Sequence, residues 1–259
     1  LALLDELAGR HPEWTIVQPA FAPDRQHHME TVFTVGNGYF CSRGSLEEGY
    51  AGDHPLTLAH GIFDDAPIIY TELVNLPNWL GLSCVVDGER FSLDRGQVLG
   101  FRRYLDLKQG ILYRDVRWQS PGGVVLDLAF ERFASYSQEH IGALRLSVTP
   151  VNRACRVEVS GEIAGHVANG DLLHCQHVAQ GDSANGAVWL HSRTRHSAID
   201  LATAAVLLAS PDGAVTRQQC PGQPCLSLER ALDAGQTLRI DKLVSYTASR
   251  DAADGAAQV

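Results

Sequence analysis

The chain has 259 residues, of which 45% are hydrophobic and 20% charged, and its formal net charge at pH 7 is -9. This composition excludes a disordered, collagenous or coiled-coil protein. Only two lysines occur, Lys108 and Lys242, and the arginines are scattered. A nucleic-acid partner is not expected, because such binding needs clustered positive charge. No apolar run approaches the roughly 20 residues that span a bilayer, so no membrane anchor is expected.

The N-terminal residues Leu1 to Ala8 predict a short amphipathic helix that ends near Gly9 and Pro12. This segment lacks the basic region and long apolar core of a secretory signal. The six cysteines lack the dense spacing of a disulfide scaffold. We therefore expect reduced thiols and a cytoplasmic location. Because the chain starts at a leucine and its one methionine, Met29, is internal, we expect that it has lost its natural start or is part of a longer protein.

Most of the remaining chain alternates apolar and polar residues, which is the pattern of half-buried antiparallel strands. Such runs lie at residues 124–131, 144–149, 155–160 and 238–241. Glycine-containing dipeptides that suit tight turns separate them: Asp87-Gly88, Gly122-Gly123, Asp212-Gly213 and Ala234-Gly235. Short strands without intervening helices predict one all-β domain, a large antiparallel β-sandwich. A propeller is less expected, because the sequence has no internal repeat. A second short helix is expected to begin at Asp251.

The segment from Val35 to Glu48 is rich in glycine and aromatic residues. It begins Gly36-x-Gly38, but neither the third glycine nor the helix of a dinucleotide-binding motif follows. We predict a tightly turned strand in which one backbone packs against another. Close approach of a ligand is the alternative.

Two pairs of adjacent carboxylates, Glu47-Glu48 and Asp64-Asp65, invite comparison with the acid and base of a glycosidase. Neighbouring residues on a strand point to opposite faces, however. We therefore predict a solvated acidic turn at Glu47-Glu48 rather than a shared site, and the same objection applies to Asp64-Asp65.

No metal or cofactor site is predicted. In His174-Cys175-x-His177, positions three apart face opposite sides of an extended strand. If extended, His28 and Glu30 share a face but supply only two ligands. The segment Cys220-Pro-Gly-Gln-Pro-Cys225 is interpreted as a loop, although a disulfide or half of a zinc site is conceivable there. The motifs of acyl transfer and nucleotide hydrolysis are absent from the sequence.

Trp79 follows Asn75 and Asn78, and a tryptophan beside amides suits stacking on a sugar ring. A tryptophan packed beneath the turn at Pro77 is the favoured interpretation. Trp118 and Trp189 lie in runs with the pattern of strands, where packing is again favoured.

In their order along the chain, these segments resemble the N-terminal domain of glycoside hydrolase family 65, which contains maltose, trehalose and kojibiose phosphorylases and related glycosidases. One departure is Phe40-Cys41, where a small aliphatic residue and a glycine are expected, so the subgroup stays open. The matching stretches are residues 14–17, 30–39, 43–44 with 47–48, 61–64, 72–79, 87–89, 103–107 with Gly110, 131–135 and 246–251.

The resemblance implies a β-supersandwich similar to galactose mutarotase over residues 1–251, with 252–259 starting a linker to an (α/α)₆ catalytic barrel. In such a barrel a glutamic acid protonates the glycosidic oxygen while phosphate, or water in hydrolases, attacks with inversion. No catalytic residue is therefore expected in this chain. The implied roles are support of the barrel, dimerisation and a contribution to the rim of the carbohydrate site.

Loops carry function more often than alternating strands, so the glycine-rich and Asn75–Trp79 segments are the candidates for facing the barrel or its substrate. The residues are Asn37, Tyr39, Arg43, Glu47, Glu48, Asn75, Asn78 and Trp79. A free-standing carbohydrate-binding module and an aldose epimerase on the same fold are the alternatives. The choice between phosphorylase and hydrolase, and the disaccharide linkage, stay open.

Overall fold

A computed structural model describes residues 12–66 and 70–251 of the chain. Within them lie two 3-10 helices, at Pro12–Trp14 and Pro23–Arg25, one α-helix, α1, and nineteen strands. None of the helices in this part of the chain is long and apolar enough to cross a membrane. The bounds are α1 Gln26–Val32, β1 Thr15–Gln18, β2 Val35–Gly36, β3 Phe40–Ser42, β4 Thr57–Ala59, β5 Phe63–Asp65, β6 Thr71–Leu73, β7 Leu82–Val86, β8 Glu89–Arg90, β9 Gln97–Asp106, β10 Ile111–Gln119, β11 Val125–Ala134, β12 Ile141–Pro150, β13 Cys155–Glu162, β14 Cys175–Asp182, β15 Val188–Thr194, β16 Asp200–Ser210, β17 Thr216–Cys220, β18 Gln223–Leu232 and β19 Leu238–Ala248.

Two large antiparallel sheets form the domain. The first has nine strands in the order β1-β9-β10-β11-β12-β19-β16-β15-β14, and the second has five in the order β17-β18-β13-β7-β8. The small sheets β2-β3-β4 and β5-β6 lie among the connections. The predicted all-β supersandwich is confirmed.

The alternation in the sequence decides which side chains enter the core. On β12, Leu144, Leu146 and Val148 are buried while the residues between them are partly exposed. On β13 of the second sheet, Val157 and Val159 are buried in the same cluster. Burial of these faces supplies the main stabilisation of a sandwich.

The predicted turns also form. Asp87 and Gly88 join β7 to β8 with φ angles of 48° and 83°, as a tight hairpin turn requires. Gly123 and Gly235 likewise have positive φ at their turns. The predicted loop between Cys220 and Cys225 is instead a hairpin, in which Cys220 lies opposite Gln223 and not opposite Cys225. All six cysteines are free thiols.

Helix α1 is a departure from the sequence analysis, which treated His28 and Glu30 as extended. In the helix, Glu30 is fully buried and His28 is exposed, so the two side chains do not share a face. Seven residues make only two turns, too few for a clear helical period. The helices predicted for residues 1–8 and after 251 lie outside the described residues.

On β19 a cation faces the core where the alternation calls for an apolar side chain. Lys242 on β19 is fully buried, and its Nζ donates hydrogen bonds to the carbonyl oxygens of Trp79 at 2.6 Å, Gly81 at 2.9 Å and Glu162 at 2.6 Å. Burial lowers the pKa of this amine to about 7. These contacts join the nine-stranded sheet to the loop that carries the Asn75–Trp79 segment.

Candidate functional site

A cleft of about 1070 Å³ lies where the loops at residues 53–56, 70–75 and 166–172 meet. Its lining mixes polar and apolar residues and includes two of the predicted site residues, Arg43 and Asn75. The two segments singled out from the sequence therefore meet at one end of the sandwich. The loop 166–172 was not predicted as part of a site, since its Ala-Asn-Gly-Asp stretch has the composition of any surface turn.

Amide side chains hold the walls of the cleft together. The side-chain Nδ2 of Asn75 donates to the carbonyl oxygens of Pro55 at 3.0 Å and Ala168 at 3.2 Å. Asn169 reaches back from the opposite wall, accepting a hydrogen bond from the backbone N–H of Asn75 at 2.8 Å and donating to the carbonyl of Leu73 at 2.7 Å. These hydrogen bonds preorganise the walls, and they use the side-chain amide nitrogen of Asn75 within the protein.

Two exposed side chains at the cleft can meet a partner. Arg43 keeps a partly exposed guanidinium, although its Nε lies 3.2 Å from Glu30 and its Nη2 donates to the carbonyl of His27 at 2.6 Å. Tyr70 lies at the cleft with 63% of its surface exposed. Sequence reasoning missed Tyr70, because an isolated aromatic residue carries no pattern that separates surface from core.

A histidine bridged by two carboxylates lies behind the cleft. His174 is buried, with Nδ1 3.0 Å from Asp64 Oδ2 and Nε2 2.7 Å from Glu72 Oε1, and Glu72 lines the cleft. Burial works against the charged imidazole, but hydrogen bonds to Glu72 and Asp64 outweigh it and raise the pKa of His174. Asp64 also accepts backbone N–H bonds from His196 and Ser197, at 3.0 and 2.7 Å. These bonds outweigh desolvation and hold its pKa well below the usual range.

The predicted opposite facing of the neighbouring residues is confirmed here. Asp64 is buried and Asp65 exposed, and His174 is buried whereas His177 is exposed. The sequence analysis did not find the partner of Asp64, because the chain brings His174 against it from 110 residues away. Within residues 12–66 and 70–251, no group of three or more His, Cys, Asp or Glu is arranged to hold a metal ion.

The turn predicted at Glu47-Glu48 forms, but the prediction that it is solvated is wrong. Both side chains are buried, and both contact one guanidinium: Arg114 Nη2 lies 2.6 Å from Glu47 Oε2 and 2.5 Å from Glu48 Oε2. These residues form a turn rather than a strand, so adjacent carboxylates can converge. Desolvation opposes ionisation, yet Arg114 and Arg132 keep the pKa of Glu47 below its usual value.

A second cavity, of about 500 Å³, runs past Glu47, Glu48 and Asn78. It shares Asp53 and Pro55 with the cleft, so the two are neighbours. Five of the eight predicted residues therefore line one of two adjoining depressions. Asn78 Oδ1 accepts the backbone N–H of Leu80 at 3.0 Å and shapes the local turn.

Asn37 and Tyr39 lie in the turn between β2 and β3, which confirms the predicted tightly turned strand. Asn37 Oδ1 accepts the N–H of Tyr39 at 3.0 Å, and Nδ2 donates to the carbonyl of Ser135 at 2.6 Å. The hydroxyl of Tyr39 donates to Asp251 at 2.6 Å. Neither residue lines the cleft or the second cavity.

Trp79 is fully buried, and its Nε1–H donates to Ser42 Oγ at 2.7 Å. The favoured interpretation, packing beneath the proline turn, is confirmed, and its indole face is closed to a sugar in this structure. Trp118 is also fully buried, and its Nε1–H donates to the carbonyl of Arg95 at 2.6 Å.

Comparisons with known proteins agree with this architecture. Residues 16–259 match the family described as "Glycosyl hydrolase family 65, N-terminal domain". The chain is 34% identical to a kojibiose phosphorylase of Halothermothrix orenii over 74% of this chain and 24% of that protein. It is 27% identical to an alpha,alpha-trehalose phosphorylase of Thermoanaerobacter brockii over 92% of this chain and 34% of that protein.

A solved structure, "Putative kojibiose phosphorylase from human microbiome", has the same fold, with a TM-score of 0.83 at 19% identity over 91% of this chain and 32% of that one. The chain thus spans about a quarter to a third of the length of these relatives. With a family match over nearly all of its length and the supersandwich described above, this chain belongs to glycosyl hydrolase family 65, whose N-terminal domain it matches.

Proposed function

We propose that this chain is a non-catalytic N-terminal domain of a family 65 phosphorylase or hydrolase that acts on an α-glucosidic disaccharide. The observation that carries the proposal is the match of residues 16–259 to the family's N-terminal domain in a chain that spans only about a quarter to a third of its relatives. The named relatives are kojibiose and trehalose phosphorylases, which supports a disaccharide substrate. The chemistry would then lie in a catalytic domain beyond these residues.

In this proposal, the cleft and the adjoining cavity form the face toward the catalytic domain and contribute to the rim of its sugar site. The exposed Tyr70 and the partly exposed Arg43 support this role, because an aromatic ring and a guanidinium can contact sugar hydroxyls and faces. The buried histidine bridge and the amide clamps would keep that rim rigid. A rigid rim favours positioning of a substrate.

The test uses the longer polypeptide that contains this chain. Tyr70→Ala should lower kcat/KM for disaccharide cleavage by about tenfold, which corresponds to about 1.4 kcal/mol of lost stabilisation. Tyr136→Ala is the matched control, since Tyr136 is 91% exposed and lies outside the cleft. Equal kcat/KM values for both variants and the unmodified enzyme would remove the rim role while leaving the family membership untouched.

A homodimer is the second part of the proposal. Phe133, Ala143, Leu243 and Val206 are register partners across β11, β12, β19 and β16, and they form an apolar row on the outer face of the large sheet. Phe133 and Leu243 are 38% and 37% exposed. Such a row supports a contact surface between copies of the protein.

A carbohydrate-binding module is the alternative that Tyr70 and the cleft, with its mixed polar and apolar lining, favour. Titration calorimetry of the chain with kojibiose or trehalose separates it from the rim role, because saturable heat from the isolated chain is expected only for a module. An epimerase is supported less well. Both nitrogens of His174 are already engaged by carboxylates, so this histidine has no free nitrogen for a sugar oxygen.

A further inference from the structure

The buried charge cluster that holds Glu47 and Glu48 contains more positive than negative charge. Arg103, Arg114 and Arg132 project from the adjacent strands β9, β10 and β11, and all three are buried. Arg114 binds both glutamates, and Arg132 Nη1 lies 3.3 Å from Glu47 Oε1. The nearby Glu30 is paired with Arg43. Three arginines therefore face two carboxylates, and one positive charge is in excess.

The excess charge is accompanied by buried N–H groups without partners. Arg103 donates from Nη2 to the carbonyl of Gly44 at 2.6 Å, and among the described residues its Nε and Nη1 have no hydrogen-bond partner. Arg132 has the same deficit at Nε and Nη2, and Ser45 Oγ is also unpartnered. An unpaired buried charge is far more costly than a paired one, so these groups call for an acceptor.

A small cavity lies among these groups. Its volume is about 10 Å³, and Ser45, Arg103, Arg114, Arg132 and the ring of Phe130 are among its lining residues. A space of this size holds about one water-sized particle. It is too small for phosphate, sulfate or a carboxylate, so the occupant is monoatomic or a single water.

We propose that this cavity is a structural anion site that binds one halide ion, chloride under ordinary conditions, between Arg103 and Arg132. A halide accepts several N–H bonds at once and carries the single negative charge that the cluster lacks. A water supplies the acceptor but leaves the charge in excess. Without an anion, burial and the neighbouring arginines Arg132 and Arg114 lower the pKa of Arg103 to about 9, which is the electrostatic sign of an uncompensated cation.

The site would join the glycine-rich segment to the large sheet. Ser45 and Glu47 come from that segment, and the three arginines come from the sheet. A bound halide thus stabilises the folded chain and not the unfolded one, so stability depends on halide concentration. The proposal is independent of the enzymatic role of the longer protein.

The first test is thermal unfolding of the chain in sodium chloride or bromide against sodium gluconate at equal ionic strength. The expected result is a Tm that rises by about 3–6 °C for each tenfold increase in halide above its Kd. Arg132→Gln makes the cluster neutral and should abolish this rise. Arg117→Gln, on the same sheet but in an exposed pair with Asp127, should retain it.

Ser45→Ala covers the case in which Arg132→Gln does not fold, because it removes only one lining hydroxyl and should weaken halide affinity several-fold.

The second test is crystallographic. Crystals grown in bromide should show an anomalous peak within hydrogen-bonding distance of Arg103 Nη1 and Arg132 Nη2. A cavity filled by water in bromide, or a Tm that is the same in halide and gluconate, would overturn the proposal.

Discussion

At the residue scale, Arg114 is the cation that compensates the buried carboxylates of the glycine-rich segment. It binds Glu47 and Glu48 at 2.5–2.7 Å and lies over the ring of Phe130, with Cζ 4.0 Å from the centroid. Its replacement would remove the guanidinium that both buried carboxylates contact and leave Glu47 with the longer contact to Arg132, at 3.3 Å. This residue therefore decides whether the segment can pack on the sheet.

We predict that Arg114→Met lowers the free energy of unfolding by about 3–5 kcal/mol, because removing one partner of a buried ion pair strands the other. Urea unfolding measures the change. Arg117→Met on the same strand breaks only the exposed pair with Asp127 and should cost less than about 1 kcal/mol. Equal losses in the two variants would mean that the buried cluster contributes no more than a surface pair.

At the site, the sequence predicted burial where the reason was local and missed it where the reason was a distant partner. Trp79 was correctly interpreted as packed, because a tryptophan next to Pro77 has a local reason to be buried. The partner of Glu47 and Glu48 lies some 66 residues away on β10, and no local pattern announces such a contact. Burial of a charge depends on long-range pairing, which a single sequence does not reveal.

At the scale of elements, the hairpin β5-β6 depends on His174. Its two nitrogens bind Asp64 on β5 and Glu72 on β6, so one imidazole joins both strands to the region before β14. The two hydrogen bonds are strongest when the imidazole of His174 is protonated and charged, because both partners are carboxylates. The attachment of this hairpin to the domain should therefore depend on pH.

We predict that the stability lost in His174→Gln shrinks as pH rises. The folded pKa of His174 is raised, so its contribution is complete below the unfolded value of about 6.5 and is lost as pH rises through the folded value. The loss at low pH should be about 1–3 kcal/mol, typical of charged hydrogen bonds. Denaturant unfolding of the variant and of His177→Gln at several pH values measures it. A loss that is constant with pH would contradict a charged bridge.

The strands themselves were largely predictable, because a strand with one buried and one exposed face alternates apolar and polar residues. The runs at 144–149 and 155–160 became β12 and β13 with the expected faces inward. Several exceptions show the limit of the pattern, and the buried Arg103, Arg114 and Arg132 at inward strand positions are among them. Lys242 occupies an inward position because three carbonyl oxygens receive its ammonium group, and α1 is too short to display a period.

At the scale of the whole molecule, the outer face of the large sheet bears on assembly. We predict that the longer protein is a homodimer and that Leu243→Arg shifts it toward monomer in sedimentation velocity, because a charge in the apolar row opposes burial. Leu107→Arg, 48% exposed and outside the row, should leave the mass unchanged. A monomeric unmodified protein, or a dimer indifferent to Leu243→Arg, would contradict the proposed surface.

If the proposed function holds, the chemistry lies outside these residues, and one assay tests this directly. The 259-residue chain and the longer polypeptide are each incubated with kojibiose or trehalose in phosphate buffer, and released glucose and glucose 1-phosphate are measured. We predict cleavage by the longer polypeptide and no release above the blank by the chain alone. Turnover by the 259-residue chain would contradict it.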